Sequence, residues 1–292
     1  MLWCRGDAVG LELRRRFIDP VACRECLFNG RRELNPEVIT SLMREYGYRT
    51  EIFVETFGRL NIDTTSLRRD LNNRGLRILP AFARILDEPR MGLAVIAAAN
   101  GVDWRMKWAV DDGLSAIDPS RTVVDDNAVA MLRNASSIAI VLDNAGEAVF
   151  DVALALTLAS RSYDVMLAAR SLPYETDIIE SEVKRLLSEV ARILGLEDAT
   201  GSIRVVGTRS RYPVFARNRV RRGLLEEIKV RDVVISKGIA NYEALMEYCS
   251  VAPDRVVAAL AAKCPPIAGI LGVKLGTPVV RAGYACRFSS VV

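Results

Sequence analysis

Apolar and polar positions follow two different periods along this chain, and the change between them falls near residue 125. From Pro36 to about Lys107 apolar residues recur at three- and four-residue spacing, through Val38, Leu42, Tyr46, Leu67, Leu71, Phe82, Ile85 and Leu86. No strong hairpin signal interrupts them, so this part is predicted to be helical. From Ser136 onward, strand-like runs at 138–142, 163–169, 203–206, 232–235, 256–260 and 278–281 are separated by helical patterns at 148–160, 177–194, 218–229, 241–249 and 265–272. Strands taking turns with helices predict βαβ units and a parallel sheet. The expected fold class is therefore α/β, with an α-helical N-terminal domain over residues 1–125 and an α/β domain over 126–292.

Two stretches stand out from this pattern. Ser137 to Asp151, SIAIVLDNAGEAVFD, runs from a strand through a polar corner into an apolar helix, and in open α/β sheets ligands lie outside the carboxyl ends of the strands. Asp143, Asn144 and Glu147 are therefore placed where chemistry is expected. The second, Met91 to Asp103, is apolar nearly all round and should be a buried helix. Its Asn100 and Asp103 stand three apart and share a face. An Asn-Gly helix stop with a solvated Asp and a functional pair are equally open readings.

Composition narrows the chemistry further. The 292 residues are 50% hydrophobic and 26% charged, ordinary for a globular protein with a sizeable core. The longest nearly uncharged apolar runs fall far short of the roughly 18 residues that span a bilayer. The first residues lack an apolar core with a small-residue cleavage site, so no membrane role is expected and the default location is cytoplasmic. A net charge of +4 does not demand a polyanionic partner. There are 0 histidines, which excludes Ser-His-Asp triads, imidazole bases and His-containing metal sites. Any metal would be held by oxygen or thiolate, and oxygen-rich sites suit hard divalent ions. Six cysteines include one C-x-x-C, Cys23 to Cys26; that is half a zinc site, and buried or paired cysteines are expected instead.

The residues just past the strands converge in space although they are far apart in sequence. They are strongly polar: Asp143 to Glu147, then Arg170 to Asp177, then Ser236 to Glu243, then Lys263 to Pro266. Singly, Asp143 and Asp177 read as helix N-caps. Together, the four corners favour a site in which Asp143, Asn144 and Asp177 hold a divalent cation while Lys237 and Lys263 neutralise phosphoryl oxygens. Backbone N–H groups at Gly146 and Gly238 are expected to add anion contacts. No G-x-G-x-x-G or G-x-x-x-x-G-K-[ST] is present.

DNAGEAVFD at 143–151, the P-x-x-x-D of Pro173 to Asp177, SKGIANYEAL at 236–245, AKCPPIAGILGVKLG at 262–276, CRECLF at 23–28 and AAANGVDW at 97–104 together resemble the damage-control phosphatases, long catalogued as domain of unknown function eighty-nine. Each motif alone is modest; six in the right order make a specific signal. The C-x-x-C resembles the branch found in archaea and some microbes. The resemblance implies a Rossmann-like three-layer α/β/α domain preceded by a helical part, and hydrolysis of small phosphorylated metabolites with a divalent metal (magnesium, manganese, cobalt or nickel). It further implies that Asp143, Asn144 and Asp177 are catalytic metal ligands, that Glu147, Asn241 and Lys263 touch substrate or phosphate, and that Lys237-Gly238 belongs to the same loop. Asn100 and Asp103 match an N-x-x-D facing the site. Glu243 in the same loop stands where the eukaryotic branch has an Arg that holds sugar phosphate, so that branch's substrates do not carry over.

Without histidine, hydrolysis proceeds by in-line attack of water with metal assistance or through an aspartyl-phosphate, and the first is expected. Two rivals remain. One is a carboxyl methyltransferase using S-adenosyl-methionine, which lacks its usual Gly-rich loop here. The other is nucleic-acid binding by the basic stretch Arg209 to Arg222 with Tyr212 and Phe215 interleaved, for which a solvated helix start and loop is the favoured account. The sequence names neither the phosphometabolite nor the oligomer.

Overall fold

The computed structural model describes residues 49–60, 63–102 and 115–286. Among the described residues, the helices before the sheet include α1 (Arg49–Leu60), α2 (Thr65–Ile78) and α3 (Pro89–Gly101). The rest alternates: β1 (Val123–Val124), α4 (Asp126–Asn134), β2 (Ser137–Val141), α5 (Ala148–Ala159), β3 (Asp164–Ala169), α6 (Glu180–Leu194), β4 (Ile203–Gly207), α7 (Leu224–Lys229), β5 (Val233–Lys237), α8 (Gly238–Tyr248), β6 (Val256–Ala261), α9 (Pro265–Leu271) and β7 (Pro278–Ala282).

The seven strands form one sheet in the order β1-β7-β6-β5-β2-β3-β4. Every pairing is parallel except β6 with β7. The connection to β7 runs through α9, whose 7 residues span about 10 Å against about 20 Å for the 6 residues of β6. From β2 the chain goes outward to β3 and β4, then crosses to β5 on the other side, so the gap between β2 and β5 is the topological switch point.

The strands are apolar on both faces because both are covered. Ile138 and Ile140 of β2 join a core with α2, α3, α5 and α6, whereas Ala139 and Val141 join a second core with α7 and α8. All residues of α5 and Gly92 to Asn100 of α3 are buried, as helices apolar all round should be. α3 starts at Pro89, with Glu88 accepting from Met91 N at 2.8 Å as its N-cap. The first core runs without a break from Leu71 through Val102 to the strands.

Two expected helices are shorter than their patterns. The helix expected over 218–229 begins at Leu224, since Asn218 (φ 68°) and Gly223 (φ 85°) adopt left-handed conformations that a helix cannot run through. The helix expected from Asp177 begins at Glu180, which frees the Asp177 carboxylate from capping. Cys249 and Cys286 form a disulfide between the end of α8 and the segment after β7, so two cysteines are paired, while Cys264 is not disulfide-bonded. Cys23 and Cys26 lie outside the described residues. Among the described residues no helix is long and apolar enough to cross a membrane.

Candidate active site

The polar corner after β2 is built by backbone pairing with the loop after β3. Ile178 N donates to the Asp143 carbonyl at 2.9 Å and Ala145 N to the Thr176 carbonyl at 2.8 Å, so Asn144 and Asp177 form an isolated antiparallel bridge. Thirty-four residues apart in sequence, Asp143 and Asp177 are thus locked beside one another. On the other side, the β5–α8 turn closes on Asp143 so tightly that a Cβ at Gly238, whose φ is 72°, would overlap the Asp143 carboxylate. Gly146 (φ 87°) gives its N–H to Asn72 Oδ1 of α2 at 2.8 Å, so it is not available to an anion.

Two carboxamides clamp two acids. Asn100 Nδ2 donates to Asp143 Oδ2 at 3.0 Å and to both Glu147 oxygens at 2.9 and 2.8 Å. Asn144 Nδ2 donates to Asp143 Oδ2 at 2.8 Å and to Glu147 Oε1 at 2.9 Å. With their N–H groups committed to acids, both amides turn their oxygens away. Asn100 Oδ1 accepts from Ala261 N at 2.9 Å, and Asn144 Oδ1 accepts from the Thr176 hydroxyl at 2.7 Å, on the side of Asp177. Asn100 is fully buried in this clamp; its sequence partner Asp103 lies outside the described residues.

Lys237 corrects the expectation that it meets phosphoryl oxygens. Its side chain is 0% exposed, and its ammonium lies 2.9 Å from Glu147 Oε2 and 3.0 Å from Asp151 Oδ1. The Oδ1 contact is off the hydrogen-bond direction, and the bond to Asp151 runs to Oδ2 at 3.4 Å. Lys237 therefore stands one layer behind the corner. Asn241 also faces inward, giving both amide hydrogens to the carbonyls of Leu142 and Lys237 at 2.9 Å, which ties the start of α8 to the end of β2. Lys263 is exposed and, among the described residues, has no side-chain partner, yet its charge reaches Asp143 and Glu147. Glu243 is half-buried on α8.

The charges at the corner are unequal in a telling way. Burial, then the neighbouring Asp177 and Glu147, push the Asp143 carboxyl well above the usual carboxylate range, against the pull of Lys263 and Lys237. Burial also raises Asp177, with Arg170 opposing. Glu147 ends below its ordinary value, because Lys237 and Lys263 outweigh burial. Such a packed set of acids favours a cation. Among the described residues nothing donates to Asp143 Oδ1, and Arg170 takes only Oδ2 of Asp177. Those two oxygens and Asn144 Oδ1 are all hard donors, and by type and charge they fit a divalent ion of the magnesium or manganese kind. Among the described residues no three Asp, Glu, Cys or His side chains form such a group; beside the two carboxylates the corner offers the Asn144 carboxamide oxygen. A cleft of about 240 Å³ between α2 and α6, lined by Thr65, Asn72, Glu182 and Arg185 among others, holds none of these residues.

Sequence reasoning missed Asp151 and Arg170. Asp151 is the single charge in the apolar AVFDVALALTLA helix, one turn beyond Glu147, and that isolation was the available signal. Arg170 pairs with Asp177, donates to the Arg211 carbonyl and lies over the Tyr174 ring at 4.3 Å from its centroid. Only its place at the end of β3 pointed to it. The basic stretch at 209–222 is a loop that ends before α7, with residues 217–219 exposed, Tyr212 and Phe215 buried, and Arg219 and Arg221 paired with Glu51 and Glu227.

A family model described as the damage-control phosphatase ARMT1-like domain matches residues 86–279. Among curated relatives, the Methanocaldococcus jannaschii protein named uncharacterized protein MJ0202 is 28% identical over 206 residues, which is 67% of this chain and 63% of that one. The chain thus spans just under two thirds of that relative's length. The damage-control phosphatase PH1575 of Pyrococcus horikoshii is 29% identical over 240 residues, 78% of each chain. The crystal structure of the same Pyrococcus horikoshii protein, described as a DUF89 family protein, matches with a TM-score of 0.65 at 23% identity over 93% of each chain, a likeness of fold.

Proposed function

The chain belongs to the damage-control phosphatase ARMT1-like family, and from that premise we propose that it is a metal-dependent phosphatase that hydrolyses small phosphorylated metabolites at the Asp143 corner. The observation that carries this reading is the Asn144–Asp177 bridge at the switch point of the sheet, which sets Asp143 beside Asp177 with one carboxylate oxygen of each left without a donor among the described residues. Asp143, Asp177 and the Asn144 carboxamide oxygen would hold the divalent ion. When bound, that ion would supply charge neutralisation for the phosphoryl group and a more acidic water.

The chain's own groups do the rest. Lys263, exposed at the end of β6, meets the phosphoryl oxygens as a mobile cation. The 11-residue helix α8 starts at Gly238 with no side-chain cap, so its first N–H groups face the same corner and orient the anion. The Asn100–Glu147–Asn144 clamp keeps Asp143 from rotating, which is the positioning that phosphoryl transfer depends on. A water oxygen attacks phosphorus in line, the P–O ester bond breaks opposite it, and the alcohol leaves.

The test crosses a panel of phosphorylated metabolites with magnesium, manganese, cobalt and nickel and measures released phosphate. The expected outcome is release from some members with at least one cation and none with a chelator. Absence of release from every combination, or release undiminished by chelator, overturns the reading.

A further inference from the structure

Resting on the phosphatase reading, we infer that Asp151 is a positioning residue for the reaction: through Lys237 it fixes Glu147, and through Glu147 it fixes the orientation of the Asn144 carboxamide. The chain of contacts is continuous. Glu147, the N-cap residue of α5, and Asp151 within it lie one helical turn apart and face the same way. Both are buried, at 0% and 1% exposure, and both close on the single ammonium of Lys237, itself 0% exposed at the end of β5. Glu147 then accepts from Asn100 and Asn144, and these same two amides hold Asp143 Oδ2.

The orientation of Asn144 is the step that matters. A carboxamide ligates a cation only through its oxygen. Asn144 turns that oxygen toward Thr176 and Asp177 because its N–H groups are claimed by Asp143 and Glu147. Glu147 keeps its place because Lys237 holds Oε2 from behind. Lys237, in turn, is shared between two carboxylates and so cannot collapse onto one. Removal of the Asp151 charge would release Lys237 toward Glu147 and take one negative charge away from behind the proposed cation. Both consequences weaken cation binding, whereas loss of a negative charge does not weaken attraction of a phosphate.

This predicts a split that a merely structural aspartate would not give. In Asp151→Asn, affinity for manganese, titrated by calorimetry in the absence of substrate, should fall about 10-fold, the low end of the range for a group that itself holds a metal ligand, because Asp151 acts through Lys237 and Glu147. With manganese kept saturating, kcat on an aryl phosphate should fall while KM stays level or drops. Where the lone substitution unfolds the chain, Asp151→Asn with Lys237→Met replaces the Asp151–Lys237 pair at matched size. That double variant should also bind manganese about 10-fold or more weakly, since Glu147 has lost its support. Wild-type affinity in whichever of the two variants folds, or a rise in KM with unchanged kcat, overturns the assignment of Asp151. A wild-type protein that binds no manganese overturns the phosphatase reading beneath it, so the two failures are distinct.

Discussion

At the scale of single residues, the corner depends on an absent side chain as much as on those present. Gly238 and Gly272 make a matched pair: φ is 72° at one and 68° at the other, but a Cβ at Gly238 would overlap the Asp143 carboxylate, while nothing lies within 4 Å of a Cβ at Gly272. Gly272→Ala should therefore cost only the left-handed strain of about 1–2 kcal/mol, read as a lower urea midpoint, and leave turnover intact. Gly238→Ala should cost at least as much stability and also abolish phosphate release, because Asp143 has to move. Equal turnover in the two variants would mean that Asp143 tolerates displacement. Asp143, Asn144 and Asp177 were legible from the sequence because strand ends converge, whatever their separation. The direction in which a side chain points was not. Lys237 reads as a phosphate partner from its position, yet sits 0% exposed between Glu147 and Asp151, since the alternation along β5 is uninformative when both faces of a strand are buried. Asp151 was hidden by its apolar context, although a lone buried charge in such a helix needs a partner.

At the scale of elements, the strands and most helices followed from hydrophobic period, and the departure at α7 came from backbone conformation. The helix expected over 218–229 begins only after a left-handed Gly223, and β7, which follows the short α9, runs antiparallel to β6. One contact between elements carries a pH dependence. Asp232, just before β5, accepts hydrogen bonds from the backbone N–H and the hydroxyl of both Ser136 and Ser137 at the start of β2, at 2.9–3.0 Å. Those bonds hold its carboxyl far below the usual range, the backbone donors of Ser136 and Ser137 foremost. A carboxyl lowered on folding contributes stability that is fully present above its unfolded value, about 3.9, and is lost as pH falls toward its folded value. Asp232→Ala should thus lower the urea midpoint at pH 7, and its gap from wild type should narrow at pH 3. A gap that is constant from pH 7 to pH 3 would show that the carboxylate charge plays no part in joining β2 to β5.

At the scale of the whole molecule, the sheet order does what no local signal does. The chain leaves β2 toward one edge and returns to β5 on the other side, so the polar ends of β2, β3, β5 and β6 lie around one gap, with α3 adding Asn100 from above β6 and β7. The continuity of the first core from Leu71 to the strands makes the helical part a wall of that site. The central claim is that Asp143, Asn144 and Asp177 form one cation site. It is tested most directly by calorimetric titration of the metal-free protein with manganese, beside Asp143→Asn and Asp177→Asn. The account predicts one ion bound by the wild type and an affinity at least about 100-fold weaker in each variant, with circular dichroism unchanged. Equal affinity in all three folded proteins would contradict it.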